Sequence, residues 1–215
     1  MASQRHSPEC YFVRTSLRRA KLEGATLVKA DFSGADLSDA NLINACADDC
    51  RFTAAILRHA GIPVHGILDA GCGLGLMRTA FAELLPRARY RGLEASEYLC
   101  ARFNWSFGSV VDFRPVKPYD LVICYDVLQY LGERDAARAI VNLAALSRAA
   151  LYVSALTLED WRSNCDRSRT DRNVHLRSGL WYRRRLRRHF RHLGFGVWVR
   201  RNVTAIVWDM ERPAP

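Results

Sequence analysis

Residues 65–75 read His-Gly-Ile-Leu-Asp-Ala-Gly-Cys-Gly-Leu-Gly, and this stretch decides the fold. It begins as a short apolar strand over residues 66–70 and continues into three glycines at alternate positions, after which a segment with helical spacing runs to Pro86. A strand, a glycine turn and a helix N-terminus in this order bring backbone N–H groups close to a bound ligand. Leu76 stands where the dinucleotide fingerprint requires glycine, and no Lys-Ser or Lys-Thr follows as in a P-loop, so neither of these nucleotide motifs fits.

Further strands alternate with helices around this stretch. A helix is predicted over residues 48–60, and a second strand over residues 88–93 ends in Glu94. The remaining predicted elements are strands at 107–113, 119–124 and 150–153, an amphipathic helix at 135–146, a helix at 180–193, and a final hairpin with strands at 194–199 and 204–209. Strands that alternate with helices predict an α/β fold with a doubly wound parallel sheet, whose ligand lies at the carboxyl ends of the strands.

Three features in this order resemble the class I S-adenosylmethionine-dependent methyltransferases. They are the motif Asp-x-Gly-x-Gly-x-Gly at residues 69–75, the acid Glu94, and Tyr-Asp-Leu-Val-Ile-Cys-Tyr-Asp-Val-Leu-Gln-Tyr-Leu at residues 119–131. The resemblance covers roughly residues 48–210. It implies a Rossmann-like, doubly wound, mostly parallel seven-stranded sheet with an antiparallel last strand, and S-adenosyl-L-methionine as the cofactor.

The resemblance also implies which residues bind the cofactor. Asp69 would help to hold the methionyl part, and the glycines would let the loop approach the cofactor. Glu94 would bind the ribose hydroxyls, as a carboxylate at that place can. Many members have Gly-Asp where this chain has Gly-Ser, so the adenine contact is expected from the Ser109 hydroxyl or shifted to Asp112. The full cofactor-binding set is Asp69, Ala70, Gly71, Cys72, Gly73, Gly75, Glu94, Ala95, Ser109, Val110 and Tyr125.

Methyl transfer from a sulfonium is an in-line displacement, so the enzyme mainly positions the nucleophile, and a base assists when the acceptor is a hydroxyl or a protonated amine. The candidates for that role are Asp126, directly after the fourth strand, with Tyr130 nearby, and His175 in the variable stretch before the last helix. Asp166 is a further candidate. No Asn-Pro-Pro-Tyr tetrad follows the fourth strand, which argues against transfer to adenine or glutamine amide nitrogen.

The N-terminal residues follow a five-residue period. Its third position is apolar seven times in succession, at Phe12, Leu17, Leu22, Leu27, Phe32, Leu37 and Leu42. A five-residue step turns an α-helix by 140°, so no helical stripe forms, and the alternative of two irregular helices is less favoured. The stretch resembles the pentapeptide-repeat family, which implies just under two coils of a right-handed β-helix. So short an array must stack on the domain that follows or on a second copy, which would make a homo-oligomer. The predicted domains are residues 1–45 and 46–215.

Composition and charge narrow the function classes. The 215 residues are 49% hydrophobic and carry a net charge of +10, most of it between residues 161 and 201, where 13 arginines face two aspartates. This composition excludes disordered and collagen-like proteins, and no apolar run is long enough for a membrane span, so we expect a soluble, cytoplasmic protein. The seven cysteines contain no Cys-x-x-Cys pair, which predicts neither a disulfide framework nor a metal site.

The acceptor is the least determined part. Residues 156–192 are the predicted acceptor cap, because the resembling family builds its acceptor site there. We expect methyl transfer to an O or N nucleophile of a small, anionic or sugar-like acceptor. One alternative is an RNA methyltransferase that uses the arginine-rich segment 183–191 to bind phosphates. The other is a catalytically silent interaction protein that docks a partner through its repeats.

Overall fold

A computed structural model of the chain describes residues 49–163, 165 and 170–205. The chain divides into two compact units, residues 1–52 and 53–215. The whole predicted repeat segment, residues 1–45, lies outside the described residues, as do Asp166 and most of the last predicted strand.

The described part of the chain is built on a seven-stranded sheet. Its helices are α1 (Asp49–His59), α2 (Leu76–Leu84), α3 (Glu97–Phe103), α4 (Glu133–Leu146), α5 (Leu158–Ser163) and α6 (Gly179–Leu186). Its strands are β1 (Gly66–Ala70), β2 (Arg89–Glu94), β3 (Ser106–Phe107), β4 (Tyr119–Tyr125), β5 (Ser147–Ser154), β6 (Phe190–Gly194) and β7 (Val197–Arg200). A single 3₁₀ turn, Leu128–Tyr130, follows β4.

The strands lie in the order β3-β2-β1-β4-β5-β7-β6. All neighbours from β3 to β5 are parallel, whereas β7 is antiparallel to both β5 and β6. The predicted Rossmann-like sheet with an antiparallel last strand is therefore confirmed. The order reverses between β1 and β4, and the crevice at such a reversal is where open α/β sheets bind ligands.

The core lies around the three central strands. Leu68 of β1, Val122 of β4 and Leu151 of β5 are fully buried, and they belong to one apolar cluster with Ile140 and Leu143 of α4. These strands are continuous apolar runs because parallel strands inside an α/β fold are covered on both faces. The buried sheet thus holds the strand ends, and the loops that follow them, in fixed positions.

The predicted helix over residues 180–193 is wrong in its second half. Helix α6 ends at Leu186, and residues 190–194 form β6, whose Phe190 pairs with Arg200 of β7 and is completely buried. The apolar residue at position 190 satisfies helical spacing and a strand in the sheet equally well, so periodicity alone could not distinguish them. The hairpin turn falls at Phe195 and Gly196, both with positive φ, inside the segment predicted as a strand.

The predicted third strand, residues 107–113, is also too long. Only Ser106 and Phe107 pair with β2. A turn follows at Gly108, which has positive φ, and the Ser109 hydroxyl accepts the Val111 N–H there. The other predicted strands and helices agree with the structure to within three residues at each end. Among the described residues, no helix is long and apolar enough to cross a membrane.

Candidate active site

The glycine loop between β1 and α2 has two glycines that serve packing and one that faces open space. Gly71, Gly73 and Gly75 all have positive φ, at 84°, 51° and 73°. A Cβ on Gly71 would lie 2.3 Å from a methyl of Val127, and one on Gly75 would lie 2.5 Å from the ring of Trp105. A Cβ on Gly73 would meet no atom within 4 Å. The two ends of the loop therefore pack against side chains, and its middle, the tip at Gly73, faces open space.

Trp105 supports this loop from below. Its indole N–H donates to the Gly73 carbonyl oxygen at 3.0 Å, and its ring fills the space that side chains at Gly75 and Gly92 would otherwise occupy. The ring also stacks on Phe103, with 6.1 Å between the centroids. Sequence reasoning missed Trp105; the one available signal was a glycine inside β2, which often marks a close approach by another group.

Glu94, the last residue of β2, is held across the mouth of the loop. One carboxylate oxygen accepts the Gly73 N–H at 2.9 Å, and the other accepts the N–H groups of Ala95 and Ser96 at 2.9 and 3.0 Å. These bonds fix the carboxylate beside the open tip of the loop. The predicted residues Gly73, Glu94 and Ala95 are thus brought together by direct hydrogen bonds.

Asp69 lies at the carboxyl end of β1, beneath the loop, and is buried. Burial raises the pKa of its carboxyl group to about 6, the hydrogen bond from the Tyr90 hydroxyl opposes this, and the nearby charge of Glu94 adds to it. Tyr90 is a second residue that sequence reasoning missed. Cys72 is buried as well, and burial followed by the charges of Asp69 and Glu94 raises the pKa of its thiol to about 12, which disfavours the thiolate that a nucleophile requires.

The turn after β3 carries the predicted adenine-side residues. The Gly108 N–H donates to the Glu94 carbonyl oxygen at 3.0 Å, which joins this turn to the end of β2. Val110 is buried, and its carbonyl oxygen accepts from the buried Asn142 side chain at 2.8 Å. Ser109 uses its hydroxyl oxygen to accept the Val111 N–H, which leaves the hydroxyl proton available to a ligand.

The residues after β4 form the other side of the site. Asp126 has φ of 55°, and its N–H donates to the Ser154 carbonyl oxygen at the end of β5. Tyr125 stacks on Tyr152, with 6.3 Å between the ring centroids. Asp126 is solvent-exposed as a whole residue, but its carboxyl group is partly shielded from solvent. This desolvation raises the pKa of the carboxyl group, and a hydrogen bond from the Gln129 side chain opposes the increase. A non-glycine residue in this strained conformation is consistent with a functional position.

Tyr130 and His175 come close to Asp126 through the backbone. Tyr130 ends the 3₁₀ turn and is half exposed, and the His175 N–H donates to the Gln129 carbonyl oxygen at 2.7 Å. Burial, then the charges of Asp171 and Asp126, raise the pKa of the Tyr130 hydroxyl. The structure therefore groups the three predicted catalytic residues at one end of β4. Gln129, also missed, is buried there with a side-chain oxygen that has no partner among the described residues.

Arg177 fastens the predicted acceptor cap to this group. Its buried guanidinium donates to the carbonyl oxygens of Leu128 and Leu131 and to a Glu133 carboxylate oxygen, the last at 3.2 Å. The ring of Trp181 packs against it, with 5.0 Å from the guanidinium carbon to the ring centroid. Sequence reasoning counted this arginine only as part of a basic segment. Within the described ranges, no group of His, Cys, Asp and Glu is placed to hold a metal ion.

Two family models match the chain. Residues 68–149 match a methyltransferase domain, and residues 15–53 and 35–60 match pentapeptide repeats in eight copies, which confirms the five-residue period. No curated protein sequence matches the chain.

Solved methyltransferase structures are similar to the chain, and the first of those below shares its fold. The magnesium protoporphyrin IX methyltransferase of Synechocystis has a TM-score of 0.50 at 19% identity, over 71% of this chain and 77% of that one. A sugar N-methyltransferase from Streptoalloteichus has a TM-score of 0.47 at 20% identity, over 52% of this chain and 49% of that one. An amino pentose methyltransferase from Micromonospora echinaspora has a TM-score of 0.45 at 22% identity, over 52% of both chains.

The chain therefore spans about half the length of the last two proteins. The sheet order, the glycine loop with its acid at the end of β2, and the match over residues 68–149 agree with one another. The chain thus contains a methyltransferase domain with a Rossmann-like sheet, and pentapeptide repeats precede it.

Proposed function

We propose that this protein transfers a methyl group from S-adenosylmethionine to an O or N nucleophile of a small acceptor. The observation that carries the proposal is the Glu94 carboxylate, which is fixed by the Gly73 N–H beside the open tip of the glycine loop. A carboxylate in that place can accept hydrogen bonds from two adjacent hydroxyls of a ribose. A purely structural carboxylate would not require open space in front of the glycine that it contacts.

The residues around the loop fit the cofactor. The space in front of Gly73 admits a ligand to backbone contact, and the loop leads into the N-terminus of α2. Glu94 would hold the ribose, the turn at Ser109 and Val110 would flank the adenine, and Asp69 would help to orient the loop and the methionyl part. When bound, S-adenosylmethionine supplies an electrophilic methyl group on a sulfonium.

Asp126, Tyr130 and His175 would act on the acceptor. The raised pKa of Asp126 suits a group that accepts a proton from an acceptor hydroxyl or ammonium. Tyr130 would hydrogen-bond and orient the acceptor, and His175, whose backbone N–H donates to the Gln129 carbonyl oxygen, would assist through its ring. Tyr125, the last residue of β4, would contact the cofactor next to these residues.

The charge at this mouth refines the acceptor. The Asp126 carboxyl group feels the charge of Asp160, and Tyr130 feels those of Asp171 and Asp126. Three carboxylates near the end of β4 repel an anion and attract an ammonium group or a polyhydroxylated neutral molecule. Within the expected class, we therefore favour a sugar-like or amine-bearing acceptor over an anionic one.

The RNA methyltransferase alternative loses its original support. It depended on a continuous arginine-rich helix over residues 180–193, whereas α6 ends at Leu186 and the later arginines belong to a turn and to β6. The other alternative, a catalytically silent interaction protein, is the one that the experiment below must exclude. Pairing of two copies through the N-terminal repeats also stays a prediction.

Calorimetric titration with S-adenosylhomocysteine tests the proposal. We expect micromolar binding to the full chain and a loss of about 1–3 kcal/mol in Glu94→Gln, because the exchanged amide no longer offers a charged acceptor to the ribose. Glu97→Gln is the matched control, since Glu97 is an exposed acid only three residues later, in the first turn of α3. Absence of binding by folded wild-type protein would favour the silent interaction protein.

A further inference from the structure

A basic groove lies at the amino ends of the strands, on the edge of the sheet opposite to the candidate active site. Its volume is about 890 Å³, and it runs below the beginnings of β2, β1, β4 and β5. The cationic residues that line it are Arg87, Arg89, Arg91, Lys117 and Arg148. All five are solvent-exposed, so the groove is open along its length.

Four of these five cations have no counter-ion within the described part of the chain. Arg87, Arg89, Arg91 and Lys117 form no ion pair there. Arg89 and Arg91 alternate along β2 and therefore point to the same face of the sheet. Arg91 is additionally oriented by a hydrogen bond from its Nε to the Ser106 hydroxyl at 2.6 Å. Arginines that lie side by side without an ion-pair partner are available to bind an anionic ligand.

The one carboxylate in the groove is already neutralised. Asp120 accepts the N–H groups of His65 and Gly66 at 2.8 and 3.0 Å, and it pairs with the Arg148 guanidinium. Burial alone would raise the pKa of Asp120, but the hydrogen bonds from Arg148 and the two backbone amides outweigh it and hold the pKa below its ordinary value. This carboxylate is thus saturated, and Arg148 still leaves most of its side chain in solvent.

The positive charge continues beyond the groove along the same edge. Because β7 is antiparallel, its end at Arg200 lies beside the beginnings of β5 and β6. The exposed Arg201 follows there, and its guanidinium donates to the carbonyl oxygen of the exposed Arg187 at 3.1 Å. From β2 to β6 the edge crosses five inter-strand steps, or about 24 Å.

The cations along this edge are Arg87, Arg89, Arg91, Lys117, Arg148, Arg187 and Arg201, and we name them the amino-edge band. We propose that the amino-edge band binds the sugar–phosphate backbone of a nucleic acid. The inference does not depend on the methyl transfer proposed above, because the band lies a full strand length from the glycine loop.

The arrangement favours an extended polyanion over a compact one. A site for a single phosphate gathers its donors around one point, whereas these cations are spread along a line of about 24 Å. Each strand of duplex DNA carries a phosphate about every 3.4 Å, so several phosphates would lie within reach of the band. Arginine predominates, and its planar fork suits phosphate oxygens better than the ammonium of lysine does.

Fluorescence anisotropy with a labelled 20-nucleotide single-stranded RNA of mixed sequence tests the proposal on the full chain. The variant Arg87→Gln/Arg89→Gln/Lys117→Gln removes three charges that have no protein partner. The matched control, Arg102→Gln/Arg134→Gln/Arg138→Gln, removes three exposed charges from α3 and α4, away from this edge. Thermal melting followed by circular dichroism verifies that both variants are folded.

We expect the band variant to lose about tenfold or more in RNA affinity at about 0.1 M salt, and the slope of log K against log salt to fall by about 2. The control variant should keep the wild-type slope. The proposal is overturned if both variants lose affinity equally, if wild-type protein does not bind RNA at about 50 mM salt, or if polyglutamate or pyrophosphate competes as well as unlabelled RNA. Equal loss would show that only net charge matters.

Discussion

The two edges of the central sheet use charged residues in opposite ways. At the carboxyl edge, Glu94 accepts from the glycine loop, Asp69 accepts from the Tyr90 hydroxyl, and Arg177 is buried with its donors occupied. At the amino edge, Arg89 and its neighbours are exposed, and the single acid, Asp120, is saturated. The first edge is organised for close contact with one ligand, and the second for charge contact with an extended one. Substitutions of the same residue type at the two edges therefore should have different consequences.

The largest difference is expected between two arginines. Arg177→Ala should lower the free energy of unfolding by about 3–5 kcal/mol, because it leaves buried carbonyl oxygens and Glu133 without their donor. Arg148→Ala should cost about 1 kcal/mol, since Arg148 is exposed and Asp120 keeps two backbone donors. Urea denaturation measures both. Equal costs would contradict the distinction between the edges.

Two aspartates should give pH dependences of opposite sign. The pKa of Asp69 is raised to about 6 in the fold against about 3.9 when unfolded, so its stabilising contribution is full at low pH and is lost as the pH rises from about 4 to about 6, by about 3 kcal/mol. The pKa of Asp120 is lowered, so its contribution is present above about pH 3.9 and is lost as the pH falls through the folded value.

Urea unfolding of wild type, Asp69→Asn and Asp120→Asn between pH 3 and 7 checks these signs. Asp69→Asn should remove the decline between about pH 4 and 6, while an Asn at position 69 can still accept from the Tyr90 hydroxyl. Asp120→Asn should remove part of the loss below about pH 4. A wild-type curve that rises from pH 4 to 6 in parallel with the Asp69→Asn curve would refute the assignment to Asp69.

Two glycines sharpen the comparison within the carboxyl edge. Gly71→Ala should cost about 2–4 kcal/mol of stability, because its Cβ would meet Val127 at 2.3 Å in a left-handed conformation. Gly73→Ala should cost only about 1 kcal/mol, from its positive φ, since its Cβ points into open space. The Cβ would then occupy the cofactor space, so calorimetry should show at least a tenfold loss of S-adenosylhomocysteine affinity. Unchanged affinity in folded Gly73→Ala would show that the open space does not hold the cofactor.

The smallest expected effect comes from the support of the loop. Trp105→Phe keeps an aromatic ring near Gly75 and Gly92 but removes the N–H that donates to the Gly73 carbonyl oxygen. We expect about 1 kcal/mol less stability and a few-fold weaker binding of S-adenosylhomocysteine. Trp105→Leu is the comparison that removes the ring as well, and it should cost more in both measurements. Identical behaviour of the two variants would mean that the N–H contributes nothing.

The sequence predicts positions best where the signal is local. The glycine loop and the places of Asp69 and Glu94 at the ends of β1 and β2 can be read within a few residues, while the roles of these two acids stay predictions. Tyr90, Trp105 and Arg177 could not be found in this way, because each bonds to a residue between 21 and 46 positions distant. The error over residues 190–194 has a different cause, since Phe190 fits the spacing of a helix and of a strand alike.

The basic character of the chain was also visible in the sequence, but its placement was not. The net charge was concentrated at residues 161–201, whereas the amino-edge band combines residues of that segment with Arg87, Arg89 and Lys117. Only the antiparallel direction of β7 brings these distant segments to one edge. Net charge along a sequence therefore predicts an anionic partner without predicting the surface that it would contact.

Hydrogen–deuterium exchange with and without S-adenosylhomocysteine determines whether the carboxyl edge binds the cofactor. We expect slower exchange of the backbone amides at residues 71–76 and 94–96, and unchanged exchange at Val116, Lys117 and Tyr119 of the amino edge. Protection confined to the amino edge, or no protection at the glycine loop at saturating ligand, would contradict this expectation.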